Sequence, residues 1–113
     1  MPYISFKTTK VLTLQQELDL KKMAGTAITL LPNKTEDYLM IHIEDNQLMY
    51  FRGKEEDCLM VTCKVYGHTE ESHKAKFVKE LIKETEKITK ITASHIYLTF
   101  GEYDHWGMNG EWI

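Results

Sequence analysis

The sequence predicts an α/β fold: a tandem βαβ pseudo-repeat with a four-stranded mixed sheet, further short strands, and two helices on one face. Three observations lead there. Alternation and helical periodicity follow one another as strand, helix, strand, short strand, then strand, helix, strand. The halves superimpose at an offset of about 57 residues, with Ser5 on Thr62, Lys7 on Lys64 and Tyr38 on His95. Residues 38–43 and 58–63 read as apolar on both faces, as in a sheet covered on both sides. Two helices cover only one of those faces, so the other calls for another copy of the chain, which would also cover the edge strands.

Each element has its own signal. Residues 2–8, Pro-Tyr-Ile-Ser-Phe-Lys-Thr, alternate as a strand. Thr13 and Gln16 form a capping-box pattern that opens a helix with apolar Leu14, Leu18, Ala24, Ala27, Ile28 and Leu31. Pro32 and Asn33 end that helix. Residues 38–44 read as a strand, and Asp45-Asn46 as a turn into a short strand over 47–52. Residues 58–66 form the next strand, closed by Gly67. Thr69 and Glu70 open a second helix that runs to about Lys87, with Ala75, Phe77, Val78, Leu81 and Ile82 on its apolar face. Residues 95–101 are the last long strand, and the tail carries Trp106, Met108, Trp112 and Ile113. Parallel pairing is expected within each half, through right-handed crossovers.

The 113 residues suit one domain spanning 1–113, and an apolar content of 42% is enough for a core. A net charge of −3 with scattered lysines argues against a nucleic-acid surface. No stretch reaches the roughly 18–20 apolar residues of a membrane span, and the N-terminus lacks a signal-peptide pattern. A cytoplasmic location is the default reading. Arg52 is the only arginine, so an anion would meet a lysine or backbone N–H groups rather than a guanidinium fork. Cys58 and Cys63 are an odd number of residues apart in one strand, on opposite faces, and read as unpaired buried thiols.

The five histidines show no metal-ligand spacing. His42 and His95 fall in strands and read as packed residues. His68 and His73 straddle a helix start. His105 with Glu102 and Asp104 is the best metal candidate, and a solvated charged turn accounts for it more simply. No metal and no cofactor are expected.

Pro2 has chemical potential of another kind. Removal of Met1 would turn its nitrogen into a secondary amine, a general base if kept neutral near pH 7. Pro2, Lys34, the run Gln47-Leu48-Met49-Tyr50-Phe51 with Gly53 and Cys58, Ile96-Tyr97, and Gly107-Met108-Asn109 together resemble the macrophage migration inhibitory factor branch of the tautomerase superfamily. The match runs nearly end to end.

The resemblance implies a homotrimer of βαβ-repeat subunits around a central channel, with three sites at subunit boundaries. It implies cofactor-free keto–enol tautomerisation of small aryl keto acids similar to phenylpyruvate or dopachrome. Pro2 would be the base, and Lys34 would hold a substrate carboxylate or enolate oxygen. The Tyr66 backbone N–H would meet a substrate oxygen, and Tyr97 would line the site from a neighbouring subunit. Tyr38, Trp106 and Met108 would be its walls.

Thr99 stands where the vertebrate cytokines have asparagine, Trp106 replaces a valine, Met108 a tryptophan and Ile113 a phenylalanine. The pocket would keep its apolar character and change its shape. Val61 takes the second cysteine position of the mammalian Cys-x-x-Cys motif, so thiol–disulfide exchange of that kind is not expected. Two other readings remain open. One is a cytokine-like binding or signalling protein, secreted without a signal peptide, whose partner is a protein receptor. The other is a dehalogenase or decarboxylase of small acids, which the lack of arginine beside Pro2 disfavours.

Overall fold

The computed structural model describes residues 1–113. Strand β1 (Pro2–Thr8) leads to helix α1 (Leu14–Ala27), then strand β2 (Met40–Glu44). Strand β3 (Leu59–Tyr66), helix α2 (Glu71–Thr89) and strand β4 (Ile96–Tyr103) repeat the pattern. Two-residue strands β5 (Gly107–Met108) and β6 (Glu111–Trp112) form a terminal hairpin. The four long strands are ordered β2-β1-β3-β4. Pairing is parallel within each half and antiparallel between β1 and β3, which makes the sheet mixed.

Both helices pack on the sheet face presented by Ile4, Phe6, Leu59, Val61, Cys63 and Val65, and the core closes over Leu20, Ala24, Phe77 and Leu81. Thr13 caps α1 as the capping box requires: Gln16 N–H donates to Thr13 Oγ1 at 3.1 Å, and Thr13 N–H donates to Gln16 Oε1 at 2.9 Å. The Gln16 amide also donates to the Ile88 carbonyl at 3.0 Å, which ties the start of α1 to the end of α2.

Several local expectations change. Helix α1 gives way at Ile28–Leu30 to a 3₁₀ turn. Leu14 and Leu18, read as core positions, are exposed and line a cleft with Ile41 and Ile43 of edge strand β2. Tyr38 belongs to a 3₁₀ turn, Glu36–Tyr38, so β2 starts at Met40. His95 likewise ends a 3₁₀ turn, with its Nδ1 at 3.0 Å from the Asp57 carbonyl, and β4 starts at Ile96. Cys58 precedes β3; both cysteines are buried and unpaired.

Residues 47–52 form no strand. Asn46 and Gln47 N–H groups donate to Lys10 and Thr8 carbonyls at 3.1 and 3.0 Å, which draws this segment towards the end of β1. Only the tight turn at Arg52-Gly53, both at positive φ, brings Phe51 and Lys54 together as an isolated bridge.

The sheet face away from the helices is less apolar than its sequence suggested. Met40 and Tyr97 are 67% and 61% exposed there, and Tyr3, Ser5, His42, Thr62, Lys64 and Thr99 alternate onto the same face. His42 Nδ1 lies 3.2 Å from Ser5 Oγ, across neighbouring strands. No helix is long and apolar enough to cross a membrane.

Candidate active site

Pro2 is buried at the start of a central strand, with β2 on one side and β3 on the other. Its register partner is Val65, so the N-terminus lies at the end of β3. Three groups meet there. The Tyr66 N–H donates to the Met1 carbonyl oxygen at 3.3 Å. Lys34 Nζ donates to the Tyr66 carbonyl at 3.1 Å. Burial, and then the Lys34 ammonium, hold the terminal amine below its ordinary value.

Lys34 reaches this point because Pro32 and Asn33 turn the chain sharply after α1. Asn33 takes φ 64°, and the Lys34 N–H closes the turn onto the Leu31 carbonyl at 3.2 Å. The same loop places Tyr38.

A cavity of about 420 Å³ opens beside Met1 and Pro2. Tyr3, Tyr38, Met40 and Lys64 line one side, and Trp106, Gly107 and Met108 line the other. The terminal hairpin holds this second wall: the Trp106 and Ile113 backbones exchange hydrogen bonds of 3.2 and 2.9 Å. Trp106 also packs edge-on to Tyr103. Lys34 is not among the residues lining this cavity; its ammonium is held at the Tyr66 carbonyl, at the same end of the sheet.

Pro2, Lys34, Tyr38, Tyr66, Trp106 and Met108 thus gather at one end of the sheet. Tyr97 and Thr99 do not. Tyr97 pairs with Met60, towards the opposite end of β3, and its ring packs on Phe51 at 5.3 Å. Standard strand spacings put it roughly 20 Å from Pro2. Within one chain neither residue reaches the cavity.

Lys64, Tyr3 and Met40 are wall residues that the sequence reading passed over. Their alternation in β1, β2 and β3 places them on one face. Only the antiparallel register Tyr3↔Lys64 and the parallel register Tyr3↔Met40 line them up.

No cluster of three His, Cys, Asp or Glu side chains has a metal-site arrangement. His68 bonds Asp104 at 2.6 Å, Glu102 bonds Lys74 at 2.7 Å, and His105 stacks on Trp112, so the acidic turn is divided among separate partners. Burial pushes the Cys63 thiol up to about 12, which leaves it protonated and unreactive near neutral pH.

The arrangement is an α/β repeat with Pro2 buried beside the N-terminus, a neighbouring ammonium and an aromatic cavity. The chain belongs to the macrophage migration inhibitory factor family, whose sequence profile matches residues 1–112. A Leishmania major protein, MIF2, superimposes with a TM-score of 0.90 at 22% identity, over 100% of this chain and 97% of the other. The migration inhibitory factor homologue of Prochlorococcus marinus gives 0.87 at 23% identity, with 97% of each chain covered. A fused 4-OT, described as a symmetric trimer, gives 0.86 at 15% identity over 95% of this chain and 93% of that one. These are likenesses of fold. No curated protein matches the sequence.

Proposed function

We propose that the chain, freed of Met1, is a cofactor-free keto–enol tautomerase of aryl 2-oxo acids of the phenylpyruvate or dopachrome type, working as a homotrimer. The reading rests above all on the Tyr66 N–H. Its partner is the carbonyl oxygen of Met1, which stands in for a substrate oxygen. Losing Met1 frees that donor and creates the Pro2 amine in one event. A base and an oxyanion donor then face the same space.

In the forward direction the neutral Pro2 nitrogen takes a proton from the carbon next to the substrate carbonyl. The C–H electron pair becomes the C=C bond, and the carbonyl π pair moves onto oxygen. The Tyr66 N–H and the Lys34 ammonium stabilise that oxygen. Pro2-H⁺ then delivers its proton to the oxygen and gives the enol; the reverse path returns the ketone. A preorganised donor at a developing oxyanion contributes about 2.7–4 kcal/mol to such a step. Tyr38, Trp106 and Met108 hold the aryl ring, and Tyr97 and Thr99 complete the site from a neighbouring subunit. The exposed Tyr97 and the resemblance to trimeric relatives support that last assignment.

Steady-state turnover of phenylpyruvate by protein shown by mass to lack Met1 tests the proposal. Pro2→Gly should lower kcat/KM by at least about a hundredfold, the upper part of general-base contributions being near 10⁴. Equal rates in the two proteins would reject Pro2 as the base. Family membership also supports the cytokine-like reading, for which specific receptor binding that survives Pro2→Gly is the distinguishing result.

A further inference from the structure

Lys64 is the only charged side chain lining the Pro2 cavity. It has no carboxylate within 4.0 Å, whereas Lys74 and Lys87 are both paired. It stands on the central strand β3, in a cross-strand row of Met40, Tyr3, Lys64 and Gly101. The glycine matters to that row. A Cβ at Gly101 would come within 3.0 Å of the Tyr103 hydroxyl, so Tyr103 folds over the bare backbone beside Lys64. Tyr103 in turn meets Trp106 of the cavity wall. The ammonium therefore rises from a stiff strand with Tyr3 on one side and Tyr103 on the other. It faces a space with aromatic and thioether walls and no acid.

Lys34 supplies a cation at another point, held at the Tyr66 carbonyl. Lys64 is one residue along β3 from Val65, the partner of Pro2, so a substrate with its reacting carbon at Pro2 would meet one ammonium near its 2-oxo acid end and a second where the Lys64 side chain extends along the cavity. We propose that Lys64 is a specificity-determining residue that binds an anionic group on the substrate's far end. The preferred class is an aryl 2-oxo acid whose ring carries a carboxylate. A single lysine suits a carboxylate; a phosphate dianion would call for an arginine fork or a nest of N–H groups. This inference rests on the tautomerase reading for its orientation of the substrate.

The test compares 4-carboxyphenylpyruvate with phenylpyruvate in Met1-free protein. The ratio of their kcat/KM values should favour the carboxylated compound. It should fall about tenfold in Lys64→Met, the lower end for a hydrogen bond to a charged group, and recover in Lys64→Arg. An unchanged ratio in Lys64→Met overturns the proposal. Calorimetric titration of Pro2→Gly protein with the same two compounds separates the two readings. Tighter binding of the dianion, lost in the Lys64→Met double variant, supports Lys64 even where the Pro2 protein turns over neither compound, a result that would reject the tautomerase alone. Equal binding of both compounds overturns the role of Lys64.

Discussion

Lys34 and the Tyr66 peptide both bond at the N-terminus beside Pro2. The Met1 amine is depressed first by burial and then by Lys34; Pro2 is buried next to it, so we expect the same two causes to lower a Pro2 amine once Met1 is gone. A lowered amine is neutral over a wider pH range, so kcat/KM should rise with pH and reach half its plateau below the ordinary α-amino value of about 7.7–8.0. Activity should fall as pH drops through that point, where Pro2 gains its proton. In Lys34→Ala the half-point should move up and the plateau should fall, because a repelling charge and an oxyanion partner are lost together. Burial persists in the variant, so only part of the depression should disappear. A pH–rate profile for both proteins checks this, and a half-point that moves down contradicts it. At this scale the sequence marks Pro2 as a candidate base from its position in the chain alone, a reading for the pH profile to test. It was silent on Lys64, whose place depends on the pairing of β1 with β3 rather than on its neighbours in the chain.

The elements show the same division. The capping box of α1 was legible because all its atoms lie within four consecutive residues, and the structure forms both of its bonds. Residues 47–52 looked like a strand, yet the N–H of Gln47 is taken by Thr8 and that of the preceding Asn46 by Lys10, partners that no local pattern reveals. Tyr38 looked extended, and a 3₁₀ turn closed by the Leu39 N–H onto the Glu36 carbonyl at 3.1 Å holds it instead. Within α2, Thr85 is fully buried and its hydroxyl has no partner. Thr85→Val keeps the shape and removes a desolvated polar group, which costs about 1–3 kcal/mol when left unpaired. The variant should unfold at higher urea, by about 1 kcal/mol in stability. A lower midpoint would mean that the hydroxyl is satisfied in the assembled protein.

For the whole molecule, the repeat and the single helical layer could be read from periodicity, and the structure bears out both. What the isolated chain leaves open also has a pattern. Leu14 and Leu18 are exposed beside β2, Leu48 is 75% exposed on the loop after it, and Tyr97 lies uncovered on the far edge strand. Burial of such residues is worth about 1.5–3 kcal/mol each when complete, which favours association through both edges of the sheet. The closed assembly proposed here has three copies. Light scattering should give about three times the 13.3 kDa chain mass, and Tyr97→Ala or Leu48→Asp should shift it downwards. A stable monomer would leave Tyr97 and Thr99 without a site to join.

The central claim is that one event, the loss of Met1, creates both the base and the oxyanion donor. Its most direct measurement is phenylpyruvate tautomerisation by a single Met1-bearing preparation before and after treatment with methionine aminopeptidase, with the mass of each sample verified. The protein that retains Met1 should be inactive, because its Pro2 nitrogen is an amide and its Tyr66 N–H is occupied; the treated protein should be active. Equal activity in both would place the catalytic base elsewhere.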